Sequence, residues 1–225
     1  MTGPGQPEAD EPGPAARPGP GGAGPGLAGG PVTAGQADLA ALSQVIAAAF
    51  HDLEPSRWLI ADPDARRQIF PGYFAIFVEH VLSAGVVHTT PDRVAAALWL
   101  PAGDEAAAPP ADYDTRLAAI TGPFLSRFQA FDESLDRQHP GGVPHHHLAM
   151  MAVRPDRQGQ GTGTALLRAY LRRLDGAGTP SYLEAASLRT RAIYLRYGYA
   201  DHGRPIRLGD DGPSMYPMWR EPSRA

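Results

Sequence analysis

Apolar residues along the chain recur at two periods, and the switches between the periods predict its elements. From Leu39, the positions Leu42, Val45, Ile46, Ala49 and Phe50 keep helical spacing, with Asp38 placed to cap the helix. A second helix is predicted from about Ala65, capped by Asp64, with Phe70, Phe74, Phe77, Val78 and Val81 on its buried face. Pro71 is expected to break it in two. GVVHTT and RVAAALWLPAG flank Pro91-Asp92 and read as an antiparallel strand pair. Between Asp112 and His139, the spacing of Leu117, Ile120, Phe124, Leu125, Phe128, Phe131 and Leu135 is helical again, interrupted at Gly122-Pro123. HHHLAMMAV is a strand and Thr164 to Leu174 a helix, with Leu166, Leu167, Tyr170, Leu171 and Leu174 on one face. SYLEAAS is a short strand and LRTRAIYLRYG a short helix. YADHGRPIRL and PSMYPMWR form a terminal hairpin around Asp210-Asp211-Gly212. This order describes one mixed α/β (α+β) domain over residues 32–222, without internal repeats.

The segment 1–31 has no such period. It contains 10 Gly and 8 Pro, with Leu27 its only large aliphatic residue after Met1. It cannot bury enough apolar surface to offset the entropy of ordering, and is expected to be a disordered tail.

Composition removes several chemistries. There is no cysteine, hence no disulfide, thiol nucleophile or thiolate metal site. All 20 basic residues are arginine, so neither a Schiff-base lysine nor a phosphate-binding P-loop lysine exists. A net charge of −4 gives no reason to expect nucleic acid or an anionic membrane as partner. No signal-like or membrane-spanning apolar segment is seen, and a cytoplasmic protein is the expectation.

The stretch RPDRQGQGTGTALL places three glycines between a strand and a helix. A helix N-terminus leaves its first amides without partners and carries partial positive charge, so glycines there allow an anion to approach. A tight turn alone would need one or two. The dinucleotide fingerprint fails because Thr164 stands where its third glycine belongs, and the Walker loop fails for want of lysine. The pattern that fits is Gln158-x-x-Gly161-x-Gly163 after Val153-Arg154-Pro155.

On these residues, LAMMAVRPDRQGQGTGTALL resembles the acetyl-CoA-binding motif of the GNAT superfamily of N-acetyltransferases. YLEAASLRTRAIYLRYGY resembles the strand and helix that follow it in that family, so the likeness covers about Leu148 to Tyr199. AAAFHDLEPSRWL and AALWLPAG resemble a branch that includes puromycin-type antibiotic N-acetyltransferases. Thr190 (or Ser187) stands where many relatives have asparagine, and Tyr199 where they have phenylalanine.

The resemblance implies a mostly antiparallel sheet of six to seven strands flanked by helices, with a splayed central strand pair. It implies acetyl-CoA as cosubstrate, its diphosphate held by the backbone of Gln158, Gly159, Gln160, Gly161, Thr162, Gly163 and Thr164. Met151, Ala152 and Val153 would meet the pantetheine arm and thioester, and Thr190 is a further contact. Arg154, Arg157 and Arg168 are candidates to assist the phosphates, or plain surface charges. Tyr194 is the implied general acid toward the leaving thiolate.

An attacking amine must be neutral, so a base is expected. Glu184, a lone carboxylate in an apolar strand where burial could raise its pKa, is the first candidate, the alternative being an outer-face residue or an arginine partner. His145, His146 and His147 offer a second source of a base or ordinary strand polarity. A metal is not expected, because adjacent strand residues do not converge on one ion without partners from elsewhere. Trp58, Trp99, Tyr73 and Phe74 are candidates for the acceptor pocket, or core. The expected acceptor is a small-molecule amine, with a non-catalytic acyl-CoA sensor or a protein N-acetyltransferase as the other readings. A homodimer is possible in this family.

Overall fold

The computed structural model describes residues 30–223, so residues 1–29 of the expected tail lie outside the described residues. Strand β1 (Val32–Thr33) is followed by helices α1 (Leu39–Phe50), α2 (Glu54–Leu59) and α3 (Pro63–Ala84). Strands β2 (Val86–Thr89) and β3 (Ala95–Ala102), helices α4 (Tyr113–Thr121) and α5 (Leu125–Asp136), and strand β4 (His145–Val153) come next. Then α6 (Thr162–Ala177), β5 (Ser181–Ala185), α7 (Leu188–Leu195), β6 (Ala200–Asp201), β7 (Ile206–Arg207) and β8 (Ser214–Arg220) complete the chain. The sheet runs β1-β2-β3-β4-β5-β8-β6, with β7 also on β8, giving eight strands rather than six or seven. The two extra-short strands, β6 and β7, both pair with β8, so the expected single terminal hairpin is divided in two.

Every strand pair is antiparallel except β4 and β5, which run parallel and pair only at His146↔Ser181 and His147↔Tyr182. Beyond those residues they part, as the expected splay requires. The cause is visible one strand over. Leu98 pairs with Met150 and Trp99 with Leu148, which leaves Ala149 as an extra residue on β4. Such a bulge bends and twists the strand that carries it.

Helices cover both faces. Leu42 and Ile46 of α1, Phe70 and Phe74 of α3, Leu117 of α4 and Phe128 of α5 pack against Leu98 and Ala152 on one face. Leu166, Leu167, Tyr170 and Leu174 of α6, with Tyr194 of α7, pack against Ala97, Trp99 and Leu183 on the other. Among the described residues no helix is long and apolar enough to cross a membrane.

Three local expectations change. Asp38 does not cap α1; its carboxylate accepts from the Gly35 amide (3.0 Å) and from Arg93 Nε (2.9 Å). Helix α3 is capped by Asp62 rather than Asp64, with Pro63 in its first turn, where a missing N–H costs nothing. It also runs through Pro71 unbroken. An interior proline costs about 3 kcal/mol. Phe70, Tyr73 and Phe74 are each buried, at about 1.5–3 kcal/mol apiece, and Tyr73 meets Phe128 edge-on at 4.7 Å. The aromatic ladder outweighs the proline.

Between α4 and α5, Tyr113 donates to the Asp132 carboxylate at 2.7 Å. Burial, aided by the charges of Asp136 and Asp114, pushes the Asp132 carboxyl up to about 6. A raised carboxyl stabilises the fold below its unfolded pKa, and that contribution disappears as pH rises through about 6. Asp132→Asn, whose amide oxygen still accepts from Tyr113, is therefore expected to gain about 1–2 kcal/mol at neutral pH. Thermal melts should show this gain, together with a flatter dependence on pH between about 4 and 7.

Candidate active site

The loop from Gln158 to Gly161 is exposed and leads into α6. Gly159 and Gly161 have φ of +76° and +80°, and the space where a Cβ would sit is open at both. Gly163 has a different reason: a Cβ there would come within 3.1 Å of Val153 Cγ2, so glycine lets α6 lie close on β4. The turn thus uses two glycines and helix packing the third; none is surplus. What favours an anion is the helix end itself. Gly161 offers no side-chain cap, and the first intrahelical bond runs from the Ala165 amide to the Gly161 carbonyl (2.9 Å). The amides of Thr162, Gly163 and Thr164 consequently lack helical partners and sit at the positive end of a 16-residue dipole.

Side chains brace this cradle. Gln158 Nε2 donates to the Val153 carbonyl at 3.0 Å, and Tyr197, in the turn after α7, donates to Thr164 Oγ1 at 3.2 Å. Of the arginines, Arg154 is paired with Asp156 (2.6 Å), Arg157 with Asp92 (3.2 Å), and Arg168 lies over the Tyr197 ring (5.4 Å).

The gap between β4 and β5 opens beside the cradle. The Arg154 amide donates to Val94 on the β3 side (2.8 Å), and backbone groups alternate along a strand. Ala152 therefore spends its backbone on β3, whereas Met151 and Val153 turn theirs toward the gap. Of the three residues expected to bind cofactor here, Met151 and Val153 face the gap with their backbone and Ala152 does not.

Where the strands part, their side chains meet. His147 Nε2 lies 2.8 Å from Glu184 Oε2, and His139, just after α5, places Nδ1 3.7 Å from Glu184 Oε1. The Glu184 side chain is 5% exposed. Burial alone would raise its pKa, as the sequence suggested, but His147 and His139, by attraction when protonated and by hydrogen bonding, overcome it and hold the carboxyl well below the usual range. Glu184 is a fixed anion and a poor proton acceptor. His147 is the group it acts upon: with Nε2–H donated to the carboxylate, the lone pair is on Nδ1, which makes no hydrogen bond among the described residues, and the side chain is 19% exposed. The other two histidines diverge, His145 Nδ1 to the Val143 carbonyl (2.7 Å) and His146 Nδ1 to the Tyr170 hydroxyl (3.0 Å).

Tyr194 is buried against Tyr199 on the α6 face, and burial pushes its phenol up, so it stays protonated. Thr190 is occupied elsewhere: its hydroxyl and amide close a capping box with Ser187 at the start of α7 (3.0–3.1 Å), which leaves no free hydroxyl for a cofactor. Three of the four aromatic candidates for the acceptor pocket are core. Trp99 stacks on Tyr170 at 4.3 Å, and Tyr73 and Phe74 lie inside the α3 packing. Trp58 instead donates to Asp211 at 2.7 Å with Arg127 over its ring, tying α2 to the segment before β8.

The role of His139 was not readable, since nothing in its spacing links it to Glu184. The pairing of His147 with Glu184 had a partial signal. Alternation puts each on a defined face, but only the parallel register of β4 on β5 brings the two faces together.

Residues 128–201 match the family model of the acetyltransferase (GNAT) domain. The chain is similar to the crystal structure of a Corynebacterium glutamicum protein described as histone acetyltransferase HPA2 and related acetyltransferase. The two are 28% identical with a TM-score of 0.64, over 87% of this chain and 97% of that one. It shares its fold with arylalkylamine N-acetyltransferase 2 from Aedes aegypti (12% identity, TM-score 0.55, 86% and 98% of the chains). It also shares it with the PaiA N-acetyltransferase from Thermoplasma acidophilum, solved in complex with coenzyme A (9% identity, TM-score 0.50, 85% and 97%). The family match and the Corynebacterium glutamicum structure support acetyl transfer, and the other two show the fold. They do not extend to the puromycin-type branch.

Proposed function

We propose that this chain, whose residues 128–201 match the family model of the acetyltransferase (GNAT) domain, transfers acetyl from acetyl-CoA to the amine of a small molecule. The observation that carries the reading is the Glu184–His147 pair standing where β4 and β5 separate. In this reading the amides of Thr162, Gly163 and Thr164 hold the diphosphate, and the gap-facing backbone of Met151 and Val153 aligns the thioester arm. Donors fixed in place before reaction stabilise the charge that develops on the carbonyl oxygen.

The acceptor amine arrives mostly protonated. Among the described residues, the only groups within ion-pair distance of Glu184 are histidines, with no arginine beside it. A buried carboxylate so placed attracts an ammonium group and, through His147, relieves it of a proton. Nδ1 of His147 takes one proton as the ammonium becomes the neutral amine that attacks; the C–N bond forms, the C–S bond breaks, the protonated Tyr194 phenol supplies a proton to the departing thiolate, and the nitrogen's second proton passes to solvent water, from which the Tyr194 oxygen is reprotonated. Glu184 stays ionised throughout and holds the imidazolium, so it is a positioning residue and His147 the base.

The test is release of free thiol from acetyl-CoA against a panel of primary amines, both aromatic and aliphatic, together with basic peptides. Turnover of small amines well above the peptides is expected. Tight acetyl-CoA binding in calorimetry with no thiol release across the panel would defeat the reading, and turnover of peptides alone would replace its acceptor class.

A further inference from the structure

We propose that His139 Nδ1, His147 Nε2 and the Glu184 carboxylate form a binding site for a divalent transition-metal ion of the zinc type. The three ligand atoms, one from each residue, lie within 4.8 Å of one another. They come from three separate places in the chain: the segment after α5, strand β4 and strand β5. The histidine run alone could not converge on an ion; the partners it needed are supplied by the fold.

The donor set matches the chemistry. Two imidazoles and one carboxylate are borderline ligands of the kind that hold zinc with a fourth position left to water. Glu184 Oε1 is buried and has no hydrogen-bond partner, with His139 Nδ1 beyond hydrogen-bonding distance at 3.7 Å. An anion buried among imidazoles, with one oxygen unsatisfied, lacks a cation. Ligand-to-metal bonds of about 2.0–2.2 Å require donor atoms roughly 3.3 Å apart in a tetrahedral site. A pair as far apart as 4.8 Å would therefore close by up to about 1.5 Å and the 2.8 Å pair open by about half an ångström. The side chains have room for this: His139 is 28% exposed and His147 19%. The Tyr182 ring packs on both imidazoles, 4.9 Å from His139 and 5.5 Å from His147, and walls the site.

Coordination has a consequence for the proposed reaction, and this part rests on that reading. A metal on Nε2 displaces the proton there, and the neutral ring then carries its proton on Nδ1. The atom proposed to accept the amine's proton becomes a donor. Metal occupancy and acetyl transfer exclude one another.

The experiment uses the full chain, freed of metal with a chelator and titrated with Zn²⁺ by calorimetry and with Co²⁺ by visible absorption. One equivalent is expected to bind, with affinity falling at least tenfold in His139→Ala and, separately, in Glu184→Gln. Binding should be unchanged in His202→Ala, a histidine of the adjoining aromatic cluster. Circular dichroism melts without metal establish that the variants fold; His139, partly exposed outside the helices, is the variant least exposed to that objection. No cobalt spectrum in the wild type, or equal affinity in His139→Ala, overturns the site and leaves acetyl transfer standing. In the second arm, saturating Zn²⁺ should slow thiol release at least tenfold and chelator should restore it. Full-rate transfer by the zinc-loaded protein overturns the exclusion and with it His147 as base, while the metal site stands on its spectrum.

Discussion

Replacing His147 with alanine lowers kcat for acetyl transfer by about 10²–10⁴-fold, the usual worth of a positioned base, and leaves the KM for acetyl-CoA nearly unchanged. The asymmetry follows from the layout. The groups proposed to hold the cofactor belong to the backbone of β4 beyond the bulge and to the start of α6, whereas His147 precedes the bulge. Alanine also strips Glu184 of a hydrogen bond at 2.8 Å, and an unpaired buried carboxylate destabilises the fold. His147→Gln is the sharper variant. Its amide donates to Glu184 as Nε2–H does, but it offers no basic nitrogen. Steady-state kinetics on both variants, with Glu184→Gln and the double variant, should show losses that do not add, because the two residues act as one unit. Wild-type turnover by His147→Gln would eliminate the imidazole as base.

Gly161→Asp is expected to weaken coenzyme A binding on the order of 100-fold, about 2.7 kcal/mol. Two effects contribute. With φ at +80°, any side chain at this position is strained, at about 1–3 kcal/mol. The new carboxylate would also stand where the amides of α6 meet a diphosphate, opposing the field that holds it. Gly161→Asn separates the two. Asparagine tolerates positive φ about as well as aspartate, but it brings no charge. Calorimetry with coenzyme A should place Asn between wild type and Asp. If Asn and Asp bind equally well, charge at this loop does not matter and the diphosphate is held elsewhere. The His147 pair should be untouched by either change, so kcat at saturating cofactor should remain close to wild type.

Helices α4, α5 and α6 and strands β3, β4 and β5 stand where hydrophobic spacing placed them, because each turns its apolar residues toward one of the two cores. Short elements were less legible. Helix α2 spans six residues, too few for its period to repeat, and β1 has only two. Pro71 misled for another reason: a local rule about one hydrogen bond was outweighed by aromatic packing against α5, a contact 55 residues away in sequence. The glycine loop was the most readable part of the proposed site, since its shape depends on backbone conformation, and glycine is the residue that records conformation in sequence.

The base was the least readable. Glu184 stood out as a carboxylate in an apolar strand, and its burial is as expected, yet the direction of its pKa is reversed by His139 and His147. Thr190 shows the same limit from the other side. It stands where many members of the resembled family carry asparagine, and its hydroxyl is bonded locally to Ser187. What the sequence by itself determined is which segments become helix or strand, where the chain turns, and that an exposed run of amides opens a helix. These depend on neighbours within about a turn. What only the tertiary structure decided is the parallel register of β4 on β5, the bulge at Ala149 that ends it, and the meeting of His139, His147 and Glu184 at that point. Proton affinity depends on charges within a few ångströms in space, and the residues that supply them here lie 37 and 45 positions from Glu184 along the chain.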